Sequence, residues 1–158
     1  MKFSQQIKKV NTNKFQIIKI NPKEIKAQYN PDKFKFWKSL HEGPKEEVLN
    51  MLYSPHYRFL NHYEEQNKKL KDFRTTSYYK LQKLYGRNDK WIKDKMCNFI
   101  LLFESICDIG LRKDCLITVL EKPLVKNKYN NNYELFEGHH RLACALFLRK
   151  ELIKINLI

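Results

Sequence analysis

Apolar positions follow two rules along this chain. Near its two ends they run together or alternate, and through its middle they recur every three or four residues among many charges. Phe15 to Ile20 (FQIIKI) is a β-branched apolar run and predicts a strand. Asn21-Pro22 ends it and opens a short turn or helix over Pro22 to Gln28, and Pro31 marks a further break. From Lys33 to about Lys95 the pattern is helical and highly charged. Trp37, Leu40, Val48, Met51 and Leu52 are expected to share one face, broken at Ser54-Pro55. Tyr57, Leu60 and Tyr63 predict a further turn or helix, and Thr76 to Tyr85 another, ended by Gly86. The clearest helix is Trp91 to Ile109, where Ile92, Met96, Phe99, Ile100, Phe103 and Ile106 form one apolar stripe. Gly110 stands where a left-handed C-terminal cap is expected.

Beyond this helix the period changes. Leu116 to Leu120 (LITVL) predicts a second strand, with Pro123 to Val125 continuing its path. The asparagine-rich stretch Lys126 to Asn132 predicts a polar turn, since Asn tolerates positive φ. Tyr133 to Phe136 returns as a short strand, Arg141 to Arg149 (RLACALFLR) reads as an apolar helix, and Leu152 to Ile158 alternates as a closing strand with one wet face. The predicted fold class is α+β, a small mixed β-sheet with packed helices and a helical insertion at about residues 33–95. A length of 158 residues suits a single domain spanning 1–158. A hydrophobic content of 42% with 13% aromatics supplies a core and argues against wholesale disorder.

Charge and cysteine content narrow the classes. The formal net charge of +14 attracts polyanions and phosphorylated small molecules, although a solvated lysine surface accounts for much of it. The basic blocks are short, as in Lys68-Lys69-Leu70-Lys71, and none forms a long nucleic-acid arm. The four cysteines, Cys97, Cys107, Cys115 and Cys144, include no C-x-x-C pair. Cys97 and Cys144 are flanked by apolar residues and are expected to act as small buried hydrophobes, reduced in a cytoplasmic protein. The start MKFSQQIKKV lacks the apolar core of a signal peptide, and Phe99 to Phe103 falls far short of a membrane span.

Candidate chemistry concentrates in YELFEGHHR, Tyr133 to Arg141, where a predicted strand runs into a predicted helix. A helix N-terminus offers unpaired N–H groups and partial positive charge, a prepared place for a phosphate. Gly138, one of only four glycines, allows close approach of backbone to a ligand. Arg141 can fork two hydrogen bonds onto a phosphate. His139 and His140 supply donors or proton-transfer groups. Glu137 supplies a carboxylate suited to a hydrated Mg²⁺ or to accepting a substrate proton. Each has a plainer alternative: a turn glycine, a polar-loop or metal-binding histidine pair, a surface Arg141–Glu137 ion pair, or a capping acid. The combination at one junction is what makes the segment informative.

The stretch from Leu116 to Ile158 resembles the core of the ParB/sulfiredoxin superfamily. The resemblance rests on a strand, Gly138-x-x-Arg141 with the small Ala143 two positions on, then a helix and a closing strand. Phe15 to Ile25 is loosely similar to that family's opening strand and turn, which leaves 33–95 as an insertion. Sulfiredoxins carry a reactive cysteine in Phe-Gly-Gly-Cys-His-Arg, where this chain has His139 in FEGHHR. Partition ParB proteins carry Gly-Glu-Arg-Arg, use CTP, and have DNA-binding regions that would follow Ile158. The ParB-like free-serine kinases carry Asp-Gly-His-His-Arg, which differs here only in Glu137. That resemblance implies that His139, His140 and Arg141 hold nucleotide phosphates, with Glu137 and His140 near the reaction and Mg²⁺ held through Glu137. Those kinases also place a catalytic Glu after the first strand's turn. Here the upstream candidates are Glu24 and, at the expected position, Gln28, which cannot act as a base.

The expected function is a nucleotide-binding small-molecule kinase or phosphotransferase, taking ATP or ADP, with CTP an alternative, and a metabolite hydroxyl as acceptor. Tyr57, Arg58, Tyr78 and Tyr79 of the insertion are expected to form a lid or simply to pack. Two other readings stand beside it: a ParB-like nucleic-acid-binding or nuclease-like protein using the basic surface, and a non-catalytic nucleotide-sensing module. No membrane association is expected, and the sequence does not specify an oligomeric state.

Overall fold

The computed structural model describes residues 16–114, 116–129 and 133–158. Its sheet has four strands: β1 (Gln16–Ile20), β2 (Ile117–Leu120), β3 (Glu134–Glu137) and β4 (Ile153–Leu157), in the order β1-β4-β2-β3. β1 runs antiparallel to β4, β4 parallel to β2, and β2 antiparallel to β3, so the sheet is mixed as expected. The parallel pair requires a crossover, and the helix α5 (His139–Phe147) between β3 and β4 supplies it. Alternation sets the faces. Ile153 and Ile155 of β4 with Ile117 and Val119 of β2 are buried, while Lys19 and Lys154 stand opposite each other on the exposed side.

Four more helices lie between β1 and β2: α1 (Phe34–Ser39), α2 (Pro55–Glu65), α3 (Ser77–Leu84) and α4 (Asp89–Ile109). Their starts follow local chemistry. Ser54 caps α2 by accepting from the Tyr57 N–H at 3.0 Å, with Pro55 as the first helical residue; Thr76 caps α3 and Asn88 caps α4 in the same way. Ser54-Pro55 is therefore a helix opening rather than only a break. The stripe predicted for α4 is buried, with Ile92, Met96, Phe99, Phe103 and Ile106 inside. Gly110 closes α4 with φ +76°, a conformation that favours glycine, but with extended ψ rather than the left-handed helical value.

Several expectations need correction. Trp37, Leu40, Val48, Met51 and Leu52 do not share a helix face. α1 ends at Ser39, a bend and Pro44 follow, and Met51 and Leu52 lie in a separate 3-10 turn. Residues 123–125 do not extend β2. Cys97 is exposed, because it lies off the buried stripe of α4; Cys144 is buried, and both are free thiols like Cys107. Cys115, Asn130, Asn131 and Asn132 lie outside the described residues.

Residues 33–95 are not a lid over a separate core. Phe59, Tyr63, Tyr78 and Ile92 belong to the same buried cluster as Ile20, Leu142 and Ile155. Tyr57 packs on Phe147, Arg58 pairs with Glu42 and bonds the Leu40 carbonyl, and Tyr79 donates to Asp89 at 2.7 Å. Arg74 and Lys83 also reach Asp89, which ties α3 to the first turn of α4. No described helix is long and apolar enough to cross a membrane. Phe59, fully buried and stacked on Phe99 at 5.3 Å, sits where α2 meets α4. Phe59→Ala is expected to cost about 3–5 kcal/mol through lost transfer energy and the cavity it leaves, read as a lower urea midpoint.

Candidate functional site

The strand-to-helix junction is built by a bulge and a glycine. Val119 pairs with Leu135 but Thr118 pairs with Glu137, so Phe136 is an extra residue on β3 and the strand bends before it ends. Gly138 then adopts φ +110° and ψ 37° as the N-cap of α5. The positive φ favours glycine, and a Cβ there would also sit tightly, 3.3 Å from Ile117 Cγ1. No side chain caps α5, and the N–H groups of its first turn have no partner within the helix.

This junction opens on a cavity of about 590 Å³. Phe136, Glu137, Gly138, His139, His140 and Arg141 form one wall. Gln28, Asn30, Lys33, Phe34 and Trp37 form a second, positioned by the backbone at Lys26 and Ala27. The Lys26 N–H donates to the Tyr133 carbonyl, the Leu135 N–H to the Lys26 carbonyl, and the Ala27 N–H to the Leu49 carbonyl. The chain is thereby anchored beside β3 just before Gln28. His56 of α2, Leu81 and Gln82 of α3 with Tyr85 after it, and Lys95, Asn98, Phe99 and Leu102 of α4 complete the enclosure. On α4 these four occur at i, i+3, i+4 and i+7, one helical face.

His139 and His140 both line this cavity, and a third imidazole joins them. The His56 ring lies 4.8 Å from His140 and 5.7 Å from His139, centroid to centroid. Trp37, held by an indole N–H donated to the Val48 carbonyl at 2.7 Å, packs against both His56 and His139. The Tyr78 hydroxyl and His140 Nε2 are 2.9 Å apart, and when the hydroxyl donates, the neutral ring carries its proton on Nδ1. Burial raises the Tyr78 pKa, which keeps that hydroxyl protonated.

Electrostatics follow from this packing. Burial, with Lys33 adding to it, pushes the His139 pKa down to about 4. Burial, then His139, Lys95 and Arg141, pushes His140 down to about 3. His56 is lowered well below its ordinary value by burial first, then by its two histidine neighbours and Lys95. At neutral pH all three rings are uncharged, and Lys33, Lys95 and Arg141 supply the positive field around them. His56 is only 6% exposed, and its Nδ1 is buried with no hydrogen-bond partner among the described residues. Leaving such a nitrogen unsatisfied costs about 1–3 kcal/mol.

Arg141 lines the cavity and donates from Nη1 to the Leu116 carbonyl at 3.0 Å, so part of its fork holds β2 in place. Glu137 is exposed at the rim and is the one carboxylate among the described lining residues. Gln28 lines the cavity. Glu24 does not: it is exposed on the 3-10 turn Pro22–Glu24. Among the described residues no group of three or more His, Cys, Asp or Glu side chains has metal-binding geometry. Mg²⁺ is commonly held by one or two carboxylates together with substrate phosphates, and Glu137 at the mouth of a basic cavity fits that pattern.

His56, Gln82 and Lys95 were missed by sequence reasoning about function, and Tyr78, expected to form a lid or to pack, instead bonds His140. The usable signal was a polar residue at an apolar helical position. His56 precedes Phe59, Leu60 and Tyr63 at i+3, i+4 and i+7, and Gln82 follows the buried Tyr78 at i+4. Comparison with protein-family models, with curated proteins and with solved structures finds no match for this chain.

The three depressed histidines set a pH dependence. Between their folded values and the ordinary 6.5, the unfolded chain binds more protons than the native one, so acidification favours unfolding. Native stability is expected to be full above about pH 6.5 and to fall as pH drops towards 4 and below, by up to about 1.4 kcal/mol per pH unit for each imidazole. Below pH 4, protonation of Asp89, whose pKa is held at about 2 by Tyr79 and Arg74, adds to the loss. Melting temperatures measured from pH 8 to pH 4 check this, and His140→Gln is expected to flatten the slope.

Proposed function

We propose that the chain is a nucleotide-dependent small-molecule phosphotransferase of ParB/sulfiredoxin-like core, with the phosphates of ATP or ADP held at the start of α5. The observation that carries this reading is one cavity onto which the α5 N-terminus, His139, His140, Arg141, Lys33 and Lys95 all open, with a single carboxylate at its rim. Phosphoryl transfer asks a protein mainly for positioning and charge neutralisation, and these groups provide both. Lys33, Lys95 and Arg141 neutralise phosphate charge, and the first-turn N–H groups orient it. Neutral imidazoles donate hydrogen bonds to phosphate oxygens without repelling the neighbouring cations.

Glu137 would take the proton of the attacking hydroxyl, as its oxygen bonds the terminal phosphorus and the bridging P–O bond breaks towards the departing nucleotide. Mg²⁺, when bound, would spread charge over the phosphates, with Glu137 as its protein ligand through water. Phe34, Trp37 and Tyr85 offer aromatic surface of a kind that takes a nucleobase. The free thiols suit a reducing, cytoplasmic setting.

Two observations favour other readings. Gln28, an amide where the kinases resembled have an acid, favours a sensing module that binds nucleotide without turnover. Lys19 opposite Lys154 on the exposed sheet face is a like-charge pair that a nucleic-acid backbone would relieve.

Arg141→Ala is expected to abolish the rise in melting temperature that millimolar ATP and Mg²⁺ produce, while the unliganded variant still melts cooperatively. An undiminished shift removes Arg141 from phosphate binding. Glu137→Gln is expected to keep the shift and to lower phosphate transfer by about 100-fold or more, the usual worth of a positioned general base. Transfer at the original rate excludes Glu137 as the base. Wild-type protein that gives the ATP shift but transfers phosphate to no hydroxyl compound supports the sensor instead.

A further inference from the structure

The deep wall of the cavity has a composition that the phosphate-binding end does not explain. His56 projects from α2 into a ring of aromatic groups, 5.7 Å from Trp37, 5.3 Å from Tyr78 and 6.3 Å from Phe99 between centroids. It is almost wholly buried, it lines the cavity, and its Nδ1 has no partner among the described residues. Gln82 of α3, buried at 7% exposure, lines the same cavity. Two polar groups on otherwise apolar helix faces, both bordering the same cavity, are what a hydrogen-bonding ligand needs and what a purely structural core avoids.

The charge of the cavity then limits what that ligand can be. Its cations are Lys33, Lys95 and Arg141, and its one carboxylate among the described lining residues, Glu137, lies at the rim. An ammonium group in the interior would meet like charges and no counter-ion. A hydroxyl or carboxylate meets donors and a favourable field.

We propose that His56 and Gln82 form the acceptor subsite of the cavity, and that it takes an oxygen-rich neutral or anionic compound, a polyol or hydroxy acid, and rejects amines. The word acceptor rests on the phosphotransferase reading; the binding claim does not. His56 is a specificity-determining residue in this scheme, because an Nδ1–H donates to a ligand oxygen and an ammonium group has no lone pair to accept it.

The test uses the full chain with ¹⁵N-labelled histidine. Glycerate, glycerol 3-phosphate and glycerol are titrated against ethanolamine and serine, each with and without ADP. Ring-nitrogen resonances are followed by NMR and melting temperature in parallel. At least one of the first three compounds is expected to shift the His56 resonances and raise the melting temperature, with ethanolamine and serine at least tenfold weaker. His56→Phe, similar in volume but without ring nitrogens, is expected to weaken the oxygen compound at least tenfold and to keep the ADP-induced melting shift. Should His56→Phe not fold, the wild-type resonances decide alone. The proposal is overturned if none of the three oxygen compounds binds, if one binds without moving His56, if amines bind as well, or if His56→Phe binds equally. Absence of an ADP shift in the wild type removes the nucleotide reading, while the same titrations without ADP still judge the subsite.

Discussion

Everything at the site depends on how the backbone turns at Gly138. β3 must end, reverse and enter a helix within one residue, while Ile117 of the neighbouring strand lies against the turn. A side chain at that position would meet both a positive φ and the flank of β2. The bulge at Phe136 prepares the bend, and the Arg141 bond to the Leu116 carbonyl ties the new helix to the start of the neighbouring strand β2. Because the turn is fixed in this way, the first residues of α5 have nowhere to point but away from the sheet, into the space that α2, α3 and α4 enclose.

That enclosure explains why the imidazoles are neutral. Three helices contribute polar residues to the cavity wall: the buried His56 from α2 and Gln82 from α3, and Lys95 and Asn98 from α4, exposed beside its apolar stripe. Packing leaves His139 and His140 only partly exposed, and desolvation is the largest influence on their protonation. Stability and site electrostatics have the same origin here. A change that loosened α2 or α4 would alter both.

The parts of this arrangement that were legible in the sequence are those governed by local rules. The stripe of α4, the alternation of β4 and the hairpin of β2 with β3 follow from periods of 3.6 and 2 that hold over several residues. The segment Glu137 to Arg141 stood out because its chemistry is contiguous. The helix there begins at His139 rather than Arg141, since Gly138 itself serves as the cap. What the sequence hid was long-range. His56 lies far from His139 along the chain, and only the packing of α2 on α5 brings the rings within 6 Å. Trp37 and Val48 read as one helix face because their apolar spacing fits, yet Gly43 and Pro44 break the backbone between them. Gln28 stands at the position expected from sequence and lines the cavity, whereas Glu24 is exposed on the 3-10 turn before it.

The central claim is that the reversal at Gly138 presents a phosphate site. A crystal structure with Mg²⁺ and an ATP analogue that cannot transfer its terminal phosphate tests it most directly. The account predicts a phosphate within hydrogen-bond distance of the first-turn N–H groups of α5 and of Arg141, with the remaining phosphates towards Lys33 or Lys95. A nucleotide bound on the exposed face of the sheet beside Lys19 and Lys154, with the cavity holding none of its phosphates, would contradict it.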